Sequence, residues 1–351
     1  MRPRAAAIQT DVMTQKQHPI GTGFTAASTA DDVLAGIDLT GTNVVITGGH
    51  QGLGIEATRA LSKAGASVTV AARNPDRAAA ALEGIERVET SRLDLLDPAS
   101  IDAFVARYLG SGRPLHVLLN NAGIQGGPLV RDERGYESHF ASNHLGHFQL
   151  TNGLLPALRA ARGARVVNLT SGAHRICDIR WADPNFLTGG YDGHLAYGQS
   201  KTANILFTVE LDRRWADDGI RAYAVHPGII VTTNLGPWRP EGAAPTLGFP
   251  VDALRAMGLL DESGRPVIDP DNEKKTPGQG ASTGVFAATS PLLDGIGGVY
   301  LKDNDISPLD DEPKSVDLAA GALPSANVVP HALDPESARR LWELSEQLLK
   351  V

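Results

Sequence analysis

Sulfur is nearly absent from this chain. Cys177 is its one cysteine in 351 residues. No disulfide can form within the chain and no four-thiolate metal site can be built. Cysteine use this sparse fits a reducing, cytoplasmic compartment. The ten histidines show no HExxH pair and no HxxxH pair with a carboxylate partner, so no metal site is expected. No apolar run approaches the length of a membrane span. Arg2 and Arg4 are not followed by an apolar segment, so the N-terminus does not read as a secretory signal, and Met13 offers a second start. Charge of one sign is also lacking. A net charge of −8, evenly mixed, argues against nucleic acid as the main partner. No internal repeat appears, and no linker separates two cores.

What is present is an ordinary globular composition, 42% hydrophobic and 21% charged, with enough length for a large core. Residues 1–29 are polar and aperiodic and are expected to be mobile. From residue 30 on, strand and helix alternate six times. Strands are expected from Asn43, over Ser67–Ala72, Val88–Leu93, Leu115–Leu119, Ala164–Leu169 and Arg221–His226. Helices are expected at 31–37, 55–64, 75–82, 97–108, 135–158 and 195–216. This is the pattern of an α/β fold with a doubly wound parallel sheet, whose ligands bind beyond the carboxyl ends of the strands. Between 236 and 272 prolines break every periodicity around one short helix, Val251–Met257. Such an insertion reads as a lid, here taken as 236–275. A helix at 276–289, a strand at 298–301 and a last helix at 334–350 complete one domain.

The first strand runs into Thr47-Gly48-Gly49-His50-Gln51-Gly52-Leu53-Gly54, a glycine-rich strand-to-helix turn. Glycine lets backbone approach phosphate oxygens, and the N–H groups of the helix start point at them. On its own the turn is a weak signal. Tyr197 and Lys201 stand four apart on one helix and share a face. An ammonium about 5 Å from a phenol, at an effective dielectric of about 20, favours the phenolate by roughly 3 kcal/mol, or about two pKa units. A surface tyrosine and a solvated lysine satisfy the spacing equally well; the neighbours decide. Ser171 ends the fifth strand, with Thr170 as the competing hydroxyl. Asn120-Asn121-Ala122-Gly123 ends the fourth. Asn143 falls inside a long helix, where asparagine is unfavourable without solvent or a task.

These motifs together resemble the short-chain dehydrogenase/reductase family. The glycine turn is similar to its TGxxxGxG loop, Asn120–Gly123 to its NNAG, and Pro227-Gly228-Ile229-Ile230-Val231-Thr232 to its PGxxxT segment. Asn143, Ser171, Tyr197 and Lys201 fall in the order of its tetrad. The match covers about residues 40–235. The long interval from Ser171 to Tyr197, the helix from Leu195 to Phe207, Lys275-Thr276-Pro277 and the tail near 338–344 resemble its retinol-dehydrogenase-like branch.

The resemblance implies a Rossmann fold and NAD(P)-dependent interconversion of a ketone or aldehyde with an alcohol. It implies Tyr197 as general acid/base, Lys201 lowering its pKa and holding the nicotinamide ribose, Ser171 orienting the carbonyl, and Asn143 supporting a water-linked relay behind Lys201. Cofactor contacts are implied for Gly48, His50, Gln51, Gly52, Leu53, Gly54, Arg73, Asn74, Asp94, Leu95, Asn121, Ala122, Gly123, Pro227, Gly228, Ile230 and Thr232. Asp94 is expected near the adenine. The second strand ends Ala71-Ala72-Arg73-Asn74 without the carboxylate that binds a ribose 2′-OH. Arg73 could pair with a 2′-phosphate, so NADP is expected over NAD. A hydrophobic or polycyclic substrate is expected. The helices at 136–158 and 195–216 could build a homodimer, again by resemblance. The alternatives are a nucleotide-bound regulatory or scaffold protein without turnover, and a sugar-nucleotide epimerase. The first usually loses the Tyr or Lys; the second has a tighter glycine spacing.

Overall fold

Short β-branched and aliphatic runs become the strands of one sheet in the computed structural model, which describes residues 16–233, 235, 250–313 and 325–350. They are β1 (Asn43–Thr47), β2 (Ser67–Ala72), β3 (Val88–Arg92), β4 (Val117–Asn120), β5 (Arg165–Leu169), β6 (Arg221–Val225), β7 (Val299–Lys302) and β8 (Asp305–Ile306). Their order is β3-β2-β1-β4-β5-β6-β7-β8. All neighbours pair in parallel except β7 with the two-residue β8. The order reverses between β1 and β4, where Val45 stands opposite both Thr69 of β2 and Leu118 of β4. This is the doubly wound Rossmann arrangement, and that reversal opens the crevice in which such sheets bind ligands.

Eight α-helices bear on the argument. They are α1 (Ala30–Val33), α2 (Gly52–Lys63), α3 (Pro75–Ala81), α4 (Pro98–Gly110), α5 (His147–Gly153), α6 (Leu155–Ala160), α7 (Gly193–Trp215) and α8 (Val251–Ala256). Two more, α9 (Pro277–Thr289) and α10 (Pro335–Leu349), follow the insertion. Alternation along each strand feeds two cores. Val44 and Ile46 face Leu61 of α2 and Val285 and Phe286 of α9. Val45 and Leu118 face Phe104 of α4, Phe148 of α5, Phe207 of α7 and Trp342 of α10. Side chains cap several helices as the sequence suggests: Asp97 accepts from Ala99 N, Thr276 from Gln279 N and Asp334 from Ser337 N. Every residue of α7 from Ala196 to Asp212 is buried, so this helix has no solvent face at its centre.

Two expectations change. The single helix over 135–158 is instead a π-helical turn (Phe140–Gly146), then α5, then α6. Pro156 lacks an N–H to continue the ladder, which accounts for the break at Leu154. Residues before 139 form a turn closed by a bridge between Arg131 and Glu137. The described part of the segment expected to be mobile, residues 16–29, is anchored. Gln17 Nε2 donates to Tyr300 O and Ser307 O at 2.7 Å each, and Gln17 Oε1 accepts from Tyr300 N at 3.0 Å. The side chain thus does for β7 what a neighbouring strand would do. The stretch also gives α1 a capping box through Thr29 and Asp32. Within the insertion, residues 236–249 lie outside the described residues. The remainder carries an apolar cluster of Leu254, Met257 and Leu259 packed on Val231. Among the described residues no helix is long and apolar enough to cross a membrane.

Gln17 yields the first prediction. Gln17→Ala leaves Tyr300 N–H and the Ser307 carbonyl without partners, while Tyr300 O keeps Ser307 N at 3.0 Å, so stability in urea unfolding should fall by roughly 2–3 kcal/mol. A loss under half a kcal/mol would mean the segment is not an integral edge of the sheet.

Candidate active site

Backbone geometry builds the first part of the site. The chain leaves β1 at Thr47 and enters α2 through a turn in which Gly48 and Gly52 have φ of +66° and +55°. A Cβ at Gly54 would stand 2.3 Å from Gly48 O, so only glycine lets the turn fold onto itself there. Gln51 caps α2 without a side-chain hydrogen bond, and no acidic residue lies in the first turn. The helix start therefore keeps its amides and its positive end free of side-chain partners, which suits a pyrophosphate. Across the turn, a Cβ on Gly52 would lie 3.5 Å from Thr233 Cβ, and Leu53 and Ile230 both close on Gly280 of α9. The glycine turn and the segment after β6 thus form two walls of one cleft.

Thr47 ties that cleft together. Its hydroxyl oxygen accepts from Asn121 N and Ala122 N, both at 2.9 Å, and its carbonyl accepts from Asn121 Nδ2 at 2.9 Å. The hydroxyl also meets His147 Nε2 at 2.9 Å, while His147 Nδ1 meets the carbonyl of Asn143 at 3.0 Å. A carbonyl only accepts, so Nδ1 carries the ring proton and Thr47 donates to Nε2. Burial keeps His147 neutral, its pKa pushed down to about 4. Asn120 faces the other way, donating to Thr151 Oγ1 and Asn168 Oδ1 inside the core.

The four tetrad positions converge beside this hub. Asn143 sits in the π-helical turn. Its side chain accepts from Ile124 N at 2.9 Å and donates to Ile124 O and to Ser200 Oγ. π-Turns of this kind are frequent at functional sites. Gly123 lies between Asn143 and Lys201: a Cβ there would stand 3.3 Å from Asn143 Oδ1 and 3.5 Å from Lys201 Nζ. Lys201 Nζ donates to Leu169 O at 3.1 Å and lies 5.5 Å from the centre of the Tyr197 ring. Ser171 lies close enough to the Tyr197 phenol for its hydroxyl to favour the phenolate. Thr170, the competing hydroxyl, donates to Lys201 O and is buried away from the phenol.

The electrostatics correct one expectation. Burial pushes the Tyr197 phenol up to about 12, against the effect of the Ser171 hydroxyl. Burial likewise brings Lys201 down to about 8. The expected lowering by two units rested on a partly solvated pair; here both groups are dry, and desolvation outweighs the attraction of an ammonium that is itself disfavoured.

The remaining predicted positions lie on the rim with mixed chemistry. Arg73 is exposed at the end of β2. Asn74 accepts from Arg77 N at 3.1 Å and so caps α3, a structural task for a residue expected at the cofactor. His50 is half-buried, and its pKa is lowered by burial and then by the guanidinium groups of Arg77 and Arg73. Positive charge thus gathers at the end of β2 where a carboxylate is missing. Asp94 accepts from Leu96 N at 3.1 Å. Leu95 packs its backbone on Gly146, where a Cβ would stand 2.4 Å from Leu95 O. Gln51 and Thr232 are exposed, and Pro227 and Gly228 are half-buried.

Sequence reasoning missed several groups. His139 lies edge-on to Tyr197 at 6.3 Å between ring centres, its Nδ1 2.7 Å from the buried Glu137 carboxylate. Glu137 also accepts from Phe140 N and so caps the π-turn. His226 joins Gly172 to Glu273. The signal available was buried polarity: HFASNHLGH places three histidines around Asn143, more than a surface helix needs.

Comparison with known proteins agrees with this geometry. The model of the short chain dehydrogenase family matches residues 42–242. A probable oxidoreductase of Streptomyces lividans is 44% identical over 321 residues, which is 90% of this chain and all of that relative. Retinol dehydrogenase 12 of Bos taurus is 35% identical over 90% of this chain and 88% of its own. A solved structure of an uncharacterized protein from Mycobacterium paratuberculosis superposes with a TM-score of 0.66 at 31% identity, covering 93% of this chain and 98% of the other. The chain therefore belongs to the short-chain dehydrogenase family of NAD(P)-dependent oxidoreductases, on its retinol-dehydrogenase-like side.

Proposed function

We propose that the protein is a cytoplasmic NADP(H)-dependent oxidoreductase that reduces a ketone or aldehyde on a hydrophobic substrate, with Tyr197 as proton donor. The observation that carries this reading is the convergence of Ser171, Tyr197 and Lys201 beside the glycine turn. When bound, the nicotinamide supplies the hydride. Ser171 and Tyr197 hold the carbonyl oxygen between two hydroxyls, which favours negative charge developing there. A dry phenol with a pKa of about 12 keeps its proton at neutral pH, so Tyr197 is set to donate rather than accept. Lys201, still protonated below about pH 8, favours the phenolate that donation leaves behind. Asn143 holds the Ile124 backbone and Ser200 in place at its back.

The cofactor choice rests on Arg73 after β2 and Arg77 on α3, two guanidinium groups beside His50 that fit a 2′-phosphate better than a bare ribose. Apolar substrate chemistry is supported by the Leu254–Leu259 cluster in the insertion and by exposed Leu129, Val130 and Leu187. The first two lie on the strap after β4, which Arg131 and Tyr191 tie to the segment carrying Leu187.

The test is a panel of apolar ketones and aldehydes followed by NADPH absorbance. Turnover should appear with NADPH and be at least tenfold weaker with NADH. Tyr197→Phe should lower kcat by about 10²–10⁴-fold while NADPH still binds. Equal use of NADH would overturn the cofactor reading; an undiminished Tyr197→Phe would overturn the mechanism.

Lys201 offers a stability test. Its pKa in the fold, about 8, lies below its unfolded 10.5, so between these values the unfolded chain binds the extra proton and stability rises with pH. Below that window the buried charge is a constant cost. Lys201→Met should therefore raise stability at pH 7 by roughly 1–3 kcal/mol while abolishing turnover. The gap should narrow toward pH 10.5. A variant less stable than wild type at pH 7 contradicts the buried-charge account.

A further inference from the structure

Ser171 is held in a way the proposed mechanism does not yet use. Its hydroxyl accepts from Ala173 N and its carbonyl accepts from His174. The next amide, Gly172 N, donates to His226 Nδ1 at 3.1 Å. That bond fixes the imidazole: Nδ1 accepts, so the proton is on Nε2, which donates to Glu273 Oε2 at 3.1 Å. Glu273 then receives Lys302 Nζ at 2.6 Å on its other oxygen, with Ala326 N at 3.4 Å. Lys302 also reaches Asp303 at 3.5 Å, and Asp303 receives the buried Lys275 at 2.6 Å. Burial would raise the Glu273 carboxyl, but His226 and Lys302 hold it far below the carboxylate range.

The same glutamate grips the segment after β6. Glu273 O accepts from Ile229 N at 2.6 Å, and Lys275 N donates back to Ile229 O at 3.0 Å. Glu273 does this from a left-handed backbone, φ +66°, a conformation costing of order 1 kcal/mol for a residue with a side chain. Gly228, at φ +91°, makes room: a Cβ there would stand 3.0 Å from Glu273 O and 2.8 Å from Lys275 Cδ. One residue therefore bonds through its side chain toward Ser171 and through its backbone to the 227–232 wall of the cleft. A strained residue spanning two parts of a site is the kind of feature that rigid placement requires.

We propose that His226 and Glu273 are positioning residues that lock Ser171 to the cleft wall formed by Gly228–Ile230, setting the distance between the substrate oxygen and the bound cofactor. This rests on the oxidoreductase reading of the site. Neither residue touches substrate. The part they play is geometric: a misplacement near 1 Å at Ser171 can cost about 10²-fold in rate without loosening the cofactor.

The imidazole can be split into its two arms. In His226→Asn the side-chain oxygen reaches where Nδ1 was and can accept from Gly172 N. In His226→Gln the amide reaches Glu273 and leaves Gly172 N unpartnered. Full-length variants, with Glu273→Ala as the third, are compared by amide exchange of the peptide over 170–176, by NADPH fluorescence titration and by kcat on the best carbonyl of the panel. His226→Gln and Glu273→Ala should exchange at Gly172 at least about tenfold faster and lose about 10–100-fold in kcat, with NADPH affinity within about twofold of wild type. His226→Asn should keep Gly172 protected and lose about tenfold less than His226→Gln. Protection retained in His226→Gln, or equal losses in the Asn and Gln variants, would overturn the proposal. Exchange and NADPH binding need no turnover, so a protein inactive on every carbonyl would sink the functional reading while leaving this lock to be judged on exchange alone.

Discussion

A phenol and an ammonium share one turn at the buried centre of a helix, and the rest of the site depends on that. α7 is buried from Ala196 to Asp212, so Tyr197 and Lys201 come out of solvent with the helix that carries them. Dehydration sets the two groups in opposite directions. The phenol is pushed up to about 12 and the ammonium down to about 8. In water the pair would hardly interact; at low dielectric the ammonium becomes a strong attractor for a phenolate that forms only when a proton has somewhere to go. The arrangement disfavours ionisation at rest and would favour it during the proton transfer of the proposed reduction.

Holding such a pair requires walls that do not move, and the sheet supplies them from three strand ends. Thr47, at the end of β1, spends its hydroxyl on two amides after β4 and on His147. His147 passes the connection to Asn143, and Asn143 to the backbone of Ile124. The chain of bonds runs from the glycine turn to the back of Lys201 without a solvent-exposed link. Buried polar groups linked in this way are costly if any member is unpaired and stiff when all are satisfied. At β6, His226 and Glu273 close the same frame on the opposite side of Ser171.

Most of the fold was legible from pattern because the physics is local or periodic. Alternating strand and helix runs gave a parallel sheet, Asp97-Pro98 and Thr276-Pro277 gave helix starts, and the glycine turn gave a phosphate-sized cradle. The resemblance placed Asn143, Ser171, Tyr197 and Lys201; the fold sets Gly123 between Asn143 and Lys201, and Tyr197 beside Lys201 and Ser171. What sequence did not reveal depends on contacts between distant parts. The π-turn at Phe140–Gly146 looks like any helix in one dimension, and Pro156 stands in an apolar pattern that continues across it. Gln17 looked like part of a loose polar tail because its partners, Tyr300 and Ser307, lie at the other end of the chain. The sign of the Tyr197 shift was missed for the same reason: spacing says how near Lys201 stands but not how dry the space is.

Dehydration governs Tyr197 more than its neighbouring ammonium does. The most direct measurement is an ultraviolet pH titration of tyrosinate absorbance in wild type minus Tyr197→Phe, without cofactor. Tyr197 should show no ionisation step below about pH 11, in line with a pKa of about 12. A phenolate step in the difference spectrum near neutral pH would contradict it.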